Sequence, residues 1–324
     1  MSVLSVSVLI PCFNAAEFLA DALESVRRQT FRDFECLVID DGSVDNSTAI
    51  AQRFERDDSR FRLIVLPTNR GVSAARNTGL AEARGKWVAL LDADDLFLPN
   101  RLEHLTRLGE GLRAQMIVDE QFITKFPDHK PLYPAFGFEA SLQEFKQEDF
   151  FERTGMFRAT LPIGYVKPLM RREFLEKTRA RYDETIVCGE DFLFYAGLFA
   201  NRPRCFATNV AGYLYRRRSG SLSRGPEHLR CHRGLVSQLL DQQNGGLSEG
   251  SRRALSGFDR ELEDMIRAMP AILALRDRRW SGMMGVLVRQ PRILGVCLRL
   301  ARRRITRTFS PMVRRFLLRS RAGL

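Results

Sequence analysis

The sequence predicts an α/β protein built on a mainly parallel, doubly wound sheet with flanking helices, followed by a basic helical segment. Three observations predict it. Short β-branched runs near the start of the chain alternate four times with amphipathic stretches, the rhythm of parallel strands joined by crossover helices. Polar residues collect where those runs end, and open α/β sheets bind ligands beyond the carboxyl ends of their strands. From about residue 227 the pattern is helical and closes on an arginine-rich tail.

Taken in order, Val3 to Pro11 is short, β-branched and ended by proline, so it reads as a buried strand. Ala16 to Gln29 places Phe18, Leu19, Ala22, Leu23 and Val26 at helical spacing. Glu35 to Asp40 is a second strand running into Asp40-Asp41-Gly42-Ser43, and Asp45 or Asn46 caps a helix that continues to about Arg56. Phe61 to Leu66 is the third strand, Gly71 to Ala83 the third helix, and Lys86 to Leu91 the fourth strand. Beyond Pro99 the rhythm loosens. Asn100 to Leu112 reads as helix and Met116 to Phe126 as one or two strands. Pro127 to Phe138, with three prolines, reads as a loop over the sheet, and Glu139 to Thr154 as helix. Leu161 to Arg172 resembles a strand entering a helix, Glu190 to Ala200 is a helix opened by two acids, and Val210 to Tyr215 is a last strand.

Composition bounds the function. At 44% hydrophobic and 28% charged, the chain has ample material for a core. Met1-Ser2 leads straight into strand-like sequence without the basic start of a secretory leader, and no window offers roughly 20 uninterrupted apolar residues. The six cysteines show no paired spacing and read as reduced thiols of a cytosolic protein, with no zinc site expected. The net charge of +12 is misleading until it is located: Trp280 to Leu324 holds eleven arginines and no acid, so the body is nearly neutral. A nucleic-acid-binding core, which would carry its charge on the folded face, is not expected.

The fourth strand carries the chemistry. Its apolar run stops at Asp92, Asp94 and Asp95. Unpaired carboxylates are costly to bury. Gathered at a strand end, they suit a hard divalent cation, Mg²⁺ or Mn²⁺, of the kind that bridges substrate phosphates. The alternative reading is an acidic turn capping the next helix.

Four stretches in this order resemble the family 2 glycosyltransferases of the GT-A fold: Val8 to Asn14, Asp40 to Asp45, Gly71 to Asn77 and Leu91 to Asp95, with Gly189-Glu190-Asp191 as a fifth. The resemblance spans residues 4–225 and implies a nucleotide-sugar-binding half (1–115), an acceptor half (116–226) and a helical region (227–324). It implies that Pro11 and Phe13 border the base, that Asp41 accepts the uracil imide hydrogen, and that Arg76 lies near the base or diphosphate. Asp92 then faces the ribose and, with Asp94, the metal; Asp95 orients the loop or caps the helix. Asp191, with Glu190 beside it, takes the acceptor's proton, since sugar hydroxyls are very weak acids. An inverting transfer from a UDP-sugar to a saccharide or polyprenyl-linked acceptor follows. The segments Pro162 to Pro168 and Arg181 to Glu184 look like those of succinoglycan-type exopolysaccharide enzymes that add glucosyl units. Where relatives often carry histidine after the last core strand, this chain has Arg218, expected with Arg216 to clamp the diphosphate. Two competing readings are a nucleotidyltransferase, which would need a basic glycine-rich loop where Cys12-Phe13-Asn14-Ala15 stands, and a non-catalytic assembly factor.

His228 and His232 are four apart with Cys231 between them, but no further ligand is evident from the sequence, so solvent-facing histidines are expected. In residues 280–324, arginines alternate with apolar residues as in basic amphipathic helices at anionic membranes. A peripheral position on the cytoplasmic face of the membrane is the expectation; packing of the tail on the body is the alternative.

Overall fold

The computed structural model describes residues 4–155, 161–217, 226–242 and 246–276, together with residue 295. Arg218 and, apart from residue 295, the basic tail over 280–324 lie outside the described residues.

In the first part of the chain, strands β1 (Val6–Cys12), β2 (Phe34–Asp40), β3 (Phe61–Val65) and β4 (Trp87–Leu90) alternate with helices α1 (Leu19–Arg27), α2 (Ser47–Asp57) and α3 (Val72–Glu82). These four strands are parallel, with β1 between β2 and β4. β1 does not stop at Pro11. Its pairing with β2 runs on through Pro11↔Ile39 to Cys12↔Asp40, whereas its pairing with β4 ends at Leu9↔Leu90. Proline is tolerated there because one side of β1 has already lost its neighbour, which is the position of an edge.

The second part is mixed. After β5 (Leu96–Phe97) and α4 (Arg101–Gly111) come β6 (Met116–Lys125), β7 (Asp128–Pro134), β8 (Gln143–Glu144) and α5 (Gln147–Glu152). Then follow a short 3₁₀ turn over Ile163–Tyr165, β9 (Leu169–Arg171), α6 (Arg172–Lys177), α7 (Glu190–Ala200) and β10 (Cys205–Arg217). The spatial order is β3-β2-β1-β4-β9-β6-β10-β5, with β7 pairing β6 and β8 pairing β10. Two expectations give way here. The proline-rich stretch read as a loop is β7, antiparallel to β6, and among the described strands it pairs with nothing else, so its prolines sit on an edge. The helix expected over 139–154 shrinks to α5, because the chain stays extended through Phe145, whose N–H donates to the Cys205 carbonyl (2.9 Å) and whose ring is fully buried.

The sheet divides the core by the two-residue period of its strands. Val6, Val8 and Ile10 join Leu19, Leu23, Val38 and Trp87 on one side, while Leu9, Leu37, Ile39, Leu80 and Val88 belong to the other. α3 lies close on that second side because Gly79 has no side chain: a Cβ there would stand 2.9 Å from Ile39 Cδ1. The same apolar cluster continues through Phe150, Phe192 and Phe199 into α8 (Pro226–Asp241) and α9 (Glu249–Arg276), where Leu235, Val236, Leu255, Phe258 and Leu262 are buried. No described helix is long and apolar enough to cross a membrane.

The two histidines of α8 do not face solvent. Both are half-buried against the loop before α7: His228 Nδ1 lies 3.1 Å from Cys188 Sγ, and the His232 ring packs against Phe192 at 6.1 Å. Burial lowers the pKa of both, that of His232 to about 4.

Candidate active site

The ends of β1 and β2 are laced together. Asn14 N–H donates to Ser43 Oγ (2.9 Å), Ala15 N–H to Ser47 Oγ (2.9 Å) and Val44 N–H to Asn14 Oδ1 (2.9 Å). This leaves Pro11 buried and the Phe13 ring 47% exposed, an apolar surface at the sheet's carboxyl edge. Asp41 is buried, and its two oxygens accept the N–H groups of Arg70 and Gly71 (both 2.8 Å), which fixes the start of α3.

One turn further along α3, Arg76 is only 3% exposed and forms the hub of the site. Its guanidinium pairs with Asp92 Oδ1 (3.0 Å) from the end of β4, and with Glu190 Oε1 (2.9 Å) and Asp191 Oδ1 (3.0 Å) from the start of α7. Lys167 Nζ closes the cluster from the opposite side, 2.9 Å from Asp92 Oδ2 and 2.7 Å from Asp191 Oδ2. Tyr182 donates its hydroxyl to Asp191 Oδ1 at 3.1 Å. Two cations thus face three carboxylates, leaving one negative charge in excess.

Each arm of this cluster is held from behind. α7 begins at Gly189 in the left-handed region (φ 80°), a conformation that costs glycine little, and its two leading acids are favoured by the helix dipole. Lys167 is positioned through its own carbonyl, which accepts a hydrogen bond from Arg101 Nη2. Arg101 in turn makes a fully buried two-point bridge to Asp119 (2.8 and 2.9 Å). The segment carrying Tyr182 is docked on α3 by Asn77, whose amide exchanges hydrogen bonds with the Tyr182 backbone (2.9 and 2.8 Å), and by an Arg70–Glu184 ion pair at 2.9 Å.

Burial alone would raise the Asp92 pKa, but Lys167 and Arg76 outweigh it and hold the carboxyl well below its ordinary value. Burial would likewise lower Lys167, yet Asp191 and Asp92 hold it well above, so both members stay charged. Asp95 is treated in the opposite way. It is buried at the same turn, accepts Tyr213 Oη–H at 2.6 Å and the Arg216 N–H at 2.7 Å, and among the described residues has no cationic side chain on its oxygens. Burial first, then the charges on Asp94 and Asp92, push its carboxyl well above the usual range. Asp94 is half-buried between them, its carbonyl accepting from Arg216 Nε.

The structure therefore brings together Arg76, Asp92, Glu190 and Asp191, and separately groups Asp94 and Asp95 with Arg216. Arg216 is the residue expected, with Arg218, beside the diphosphate. Its buried guanidinium is taken up by the Asp94 and Phe18 carbonyls and by Asp21 (2.9 Å), between the rings of Phe18 and Phe126. Lys167 and Tyr182 belong to the cluster although the sequence reading assigns them no role. The available signal was a lysine flanked by Val166 and Pro168 in an apolar run, where burial demands a counter-charge. The residues present suit a hard cation: Asp92 and Asp94 bring oxygen donors together at the end of β4.

A parallel first half joined to a mixed second half, with acids from both meeting at the carboxyl edge, is the architecture of the GT-A fold. Staphylococcus aureus TarS 1–349, solved with UDP, has this fold: TM-score 0.62 at 18% identity, over 89% of this chain and 92% of that one. The model of glycosyl transferase family 2 matches residues 7–167. Among similar proteins of Rhizobium meliloti, the succinoglycan biosynthesis protein ExoU is 32% identical over 257 residues, 76% of this chain and 70% of the relative. Succinoglycan biosynthesis protein ExoO is 35% identical over 219 residues, 68% of this chain but 62% of the relative's length. The chain belongs to glycosyl transferase family 2.

Proposed function

We propose that this glycosyltransferase moves a hexose, glucose in the first instance, from a UDP-sugar to a saccharide or polyprenyl-linked acceptor during exopolysaccharide synthesis, with inversion at the transferred carbon. The convergence of Asp92, Glu190 and Asp191 on Arg76 and Lys167 carries this reading, because it joins the nucleotide-side strand end to the acceptor-side helix. The similarity to ExoO and ExoU supports the pathway, and the UDP complex of a protein of the same fold supports the donor class.

Asp41, Pro11 and Phe13 hold the base, and Asp92 lies on the ribose side. Asp94 holds a divalent cation, Mg²⁺ or Mn²⁺, with Asp92 beside it; when bound, the cation supplies Lewis-acid neutralisation of the departing diphosphate. The donor diphosphate competes with Asp191 for Lys167 and Arg76, and Arg218 adds a further clamp. Released from its ion pairs, Asp191 takes the acceptor's hydroxyl proton as the new glycosidic bond forms, while the bond to the diphosphate breaks and UDP leaves with its electron pair. The arginine-rich segment 280–324 keeps the enzyme at the cytoplasmic face of an anionic membrane, beside a lipid-linked acceptor.

Calorimetric titration with UDP, GDP and ADP, each with and without Mn²⁺, tests the donor side. UDP is expected to bind in preference and more tightly with the cation; equal binding of all three, or no effect of Mn²⁺, overturns it. Asp191→Asn is expected to keep UDP binding and to lose transfer by about 10²–10⁴-fold. Undiminished transfer would place the base elsewhere.

A further inference from the structure

Three side chains outside this site converge from separate segments: Cys188 from the loop before α7, and His228 and His232 from successive turns of α8. One ligand atom from each can be chosen so that all lie within 4.8 Å of one another. Cys188 Sγ is 3.1 Å from His228 Nδ1. A tetrahedral zinc ion with its usual bond lengths to sulfur and nitrogen sets its S···N ligand pairs about 3.6 Å apart, so this pair has to open only slightly to admit the ion; His232 offers its Nε2, since its Nδ1 faces the His228 carbonyl. We infer that Cys188, His228 and His232 form a zinc site that ties the loop carrying Gly189, Glu190 and Asp191 to α8.

The surroundings match such a site. A metal-bound histidine commonly has its second ring nitrogen in a hydrogen bond that fixes the ring. His228 Nε2 meets Tyr165 Oη at 3.2 Å, and His232 Nδ1 meets the His228 carbonyl at 3.2 Å. Gly189 allows the close approach: a Cβ there would stand 3.1 Å from Cε1 and 3.3 Å from Nε2 of His232. Cys231 turns its thiol to the Cys188 carbonyl (2.9 Å), holding the loop in place. One sulfur and two imidazoles are a soft, nitrogen-rich set that favours zinc over Mg²⁺ or Mn²⁺, the reverse of the oxygen donors at the end of β4. On binding, the Cys188 thiol gives its proton to solvent and the thiolate becomes the ligand. The two metal sites thus differ in chemistry, and this one does not depend on the sugar donor.

Elemental analysis of the full chain, produced with zinc in the medium and kept reduced, tests the inference. One zinc per chain is expected. Replacement by Co²⁺ is expected to give the intense visible bands of a tetrahedral ion with a thiolate-to-cobalt charge-transfer band. Cys188→Ser is expected to abolish that band and His228→Asn to weaken metal binding, both with UDP binding retained. Metal-free wild-type protein that shows no thiolate band with Co²⁺, or a Cys188–Cys231 disulfide in freshly prepared protein, overturns the site. The cobalt spectrum is read on the wild-type chain, so an unstable variant leaves the test intact, and failure of the UDP titration does not bear on it.

Discussion

Asp92 and Asp95 sit three residues apart at the end of the same strand, yet the fold handles them in opposite ways. Asp92 is drawn between Lys167 and Arg76 and kept ionised. Asp95 is enclosed by a tyrosine hydroxyl and a backbone amide, and its carboxyl is pushed toward the protonated form. The difference teaches which acid belongs to which task. In the proposed mechanism, a carboxylate that shares its cations with Asp191 is released when a diphosphate arrives, because the incoming ligand brings its own negative charge. A carboxyl satisfied by neutral donors gains nothing from that arrival and serves to hold the turn.

Removing the shared cation is the most direct way to break this contrast. Arg76→Met leaves three carboxylates facing only Lys167 and is expected to cost about 3–5 kcal/mol of folding stability, the usual penalty for breaking a buried ionic group. Urea denaturation measures it, and a loss below 1 kcal/mol would mean that the cluster is more hydrated than its geometry implies. On the other side, Tyr213→Phe removes the hydroxyl that Asp95 accepts and is expected to cost about 1–3 kcal/mol by the same measurement. A loss as large as that of Arg76→Met would erase the distinction between the two acids.

The smallest effects lie in pH dependence, where the two acids have opposite signs. Asp92's carboxyl is lowered on folding, so its contribution is present above the unfolded value of about 3.9 and is lost as pH falls below it. Asp95's is raised, so its contribution is complete below about 3.9 and is lost as pH climbs through the folded value. Asp92→Asn is therefore expected to flatten the acid limb of a stability–pH curve, and Asp95→Asn the limb above pH 4. Parallel curves for the two variants would show that the acids are treated alike.

Much of the parallel half was legible because its signals are local. The alternation in Val6, Val8 and Ile10 and the helical spacing of Leu19, Ala22, Leu23 and Val26 survive any tertiary context. Asp92 could be singled out from sequence because acids that end a strand are visible there, and Asp191 through the family resemblance of Gly189-Glu190-Asp191. What could not be read depended on partners distant along the chain. β7 was obscured because three nearby prolines speak against a strand until one sees that it lies on an edge. Lys167 meets Asp92 with its carbonyl held by Arg101, which Asp119 bridges in turn, and no spacing rule links residues 92, 101, 119 and 167. The pairing of Cys188 with His228 fails the same way: forty positions apart, they meet only after α8 folds back on the loop before α7.

That folding back has a bearing on how the chain can be inherited. Phe192, one residue beyond Asp191, stacks on Phe150 and meets Phe258 of α9 edge-on, so the floor under the acceptor-side acids is partly made of late sequence. An ancestor could not have gained or shed these two helices as a loose accessory without repacking the ground beneath Glu190 and Asp191. Recombination between relatives would have to carry the helices along with the acids, as one heritable block.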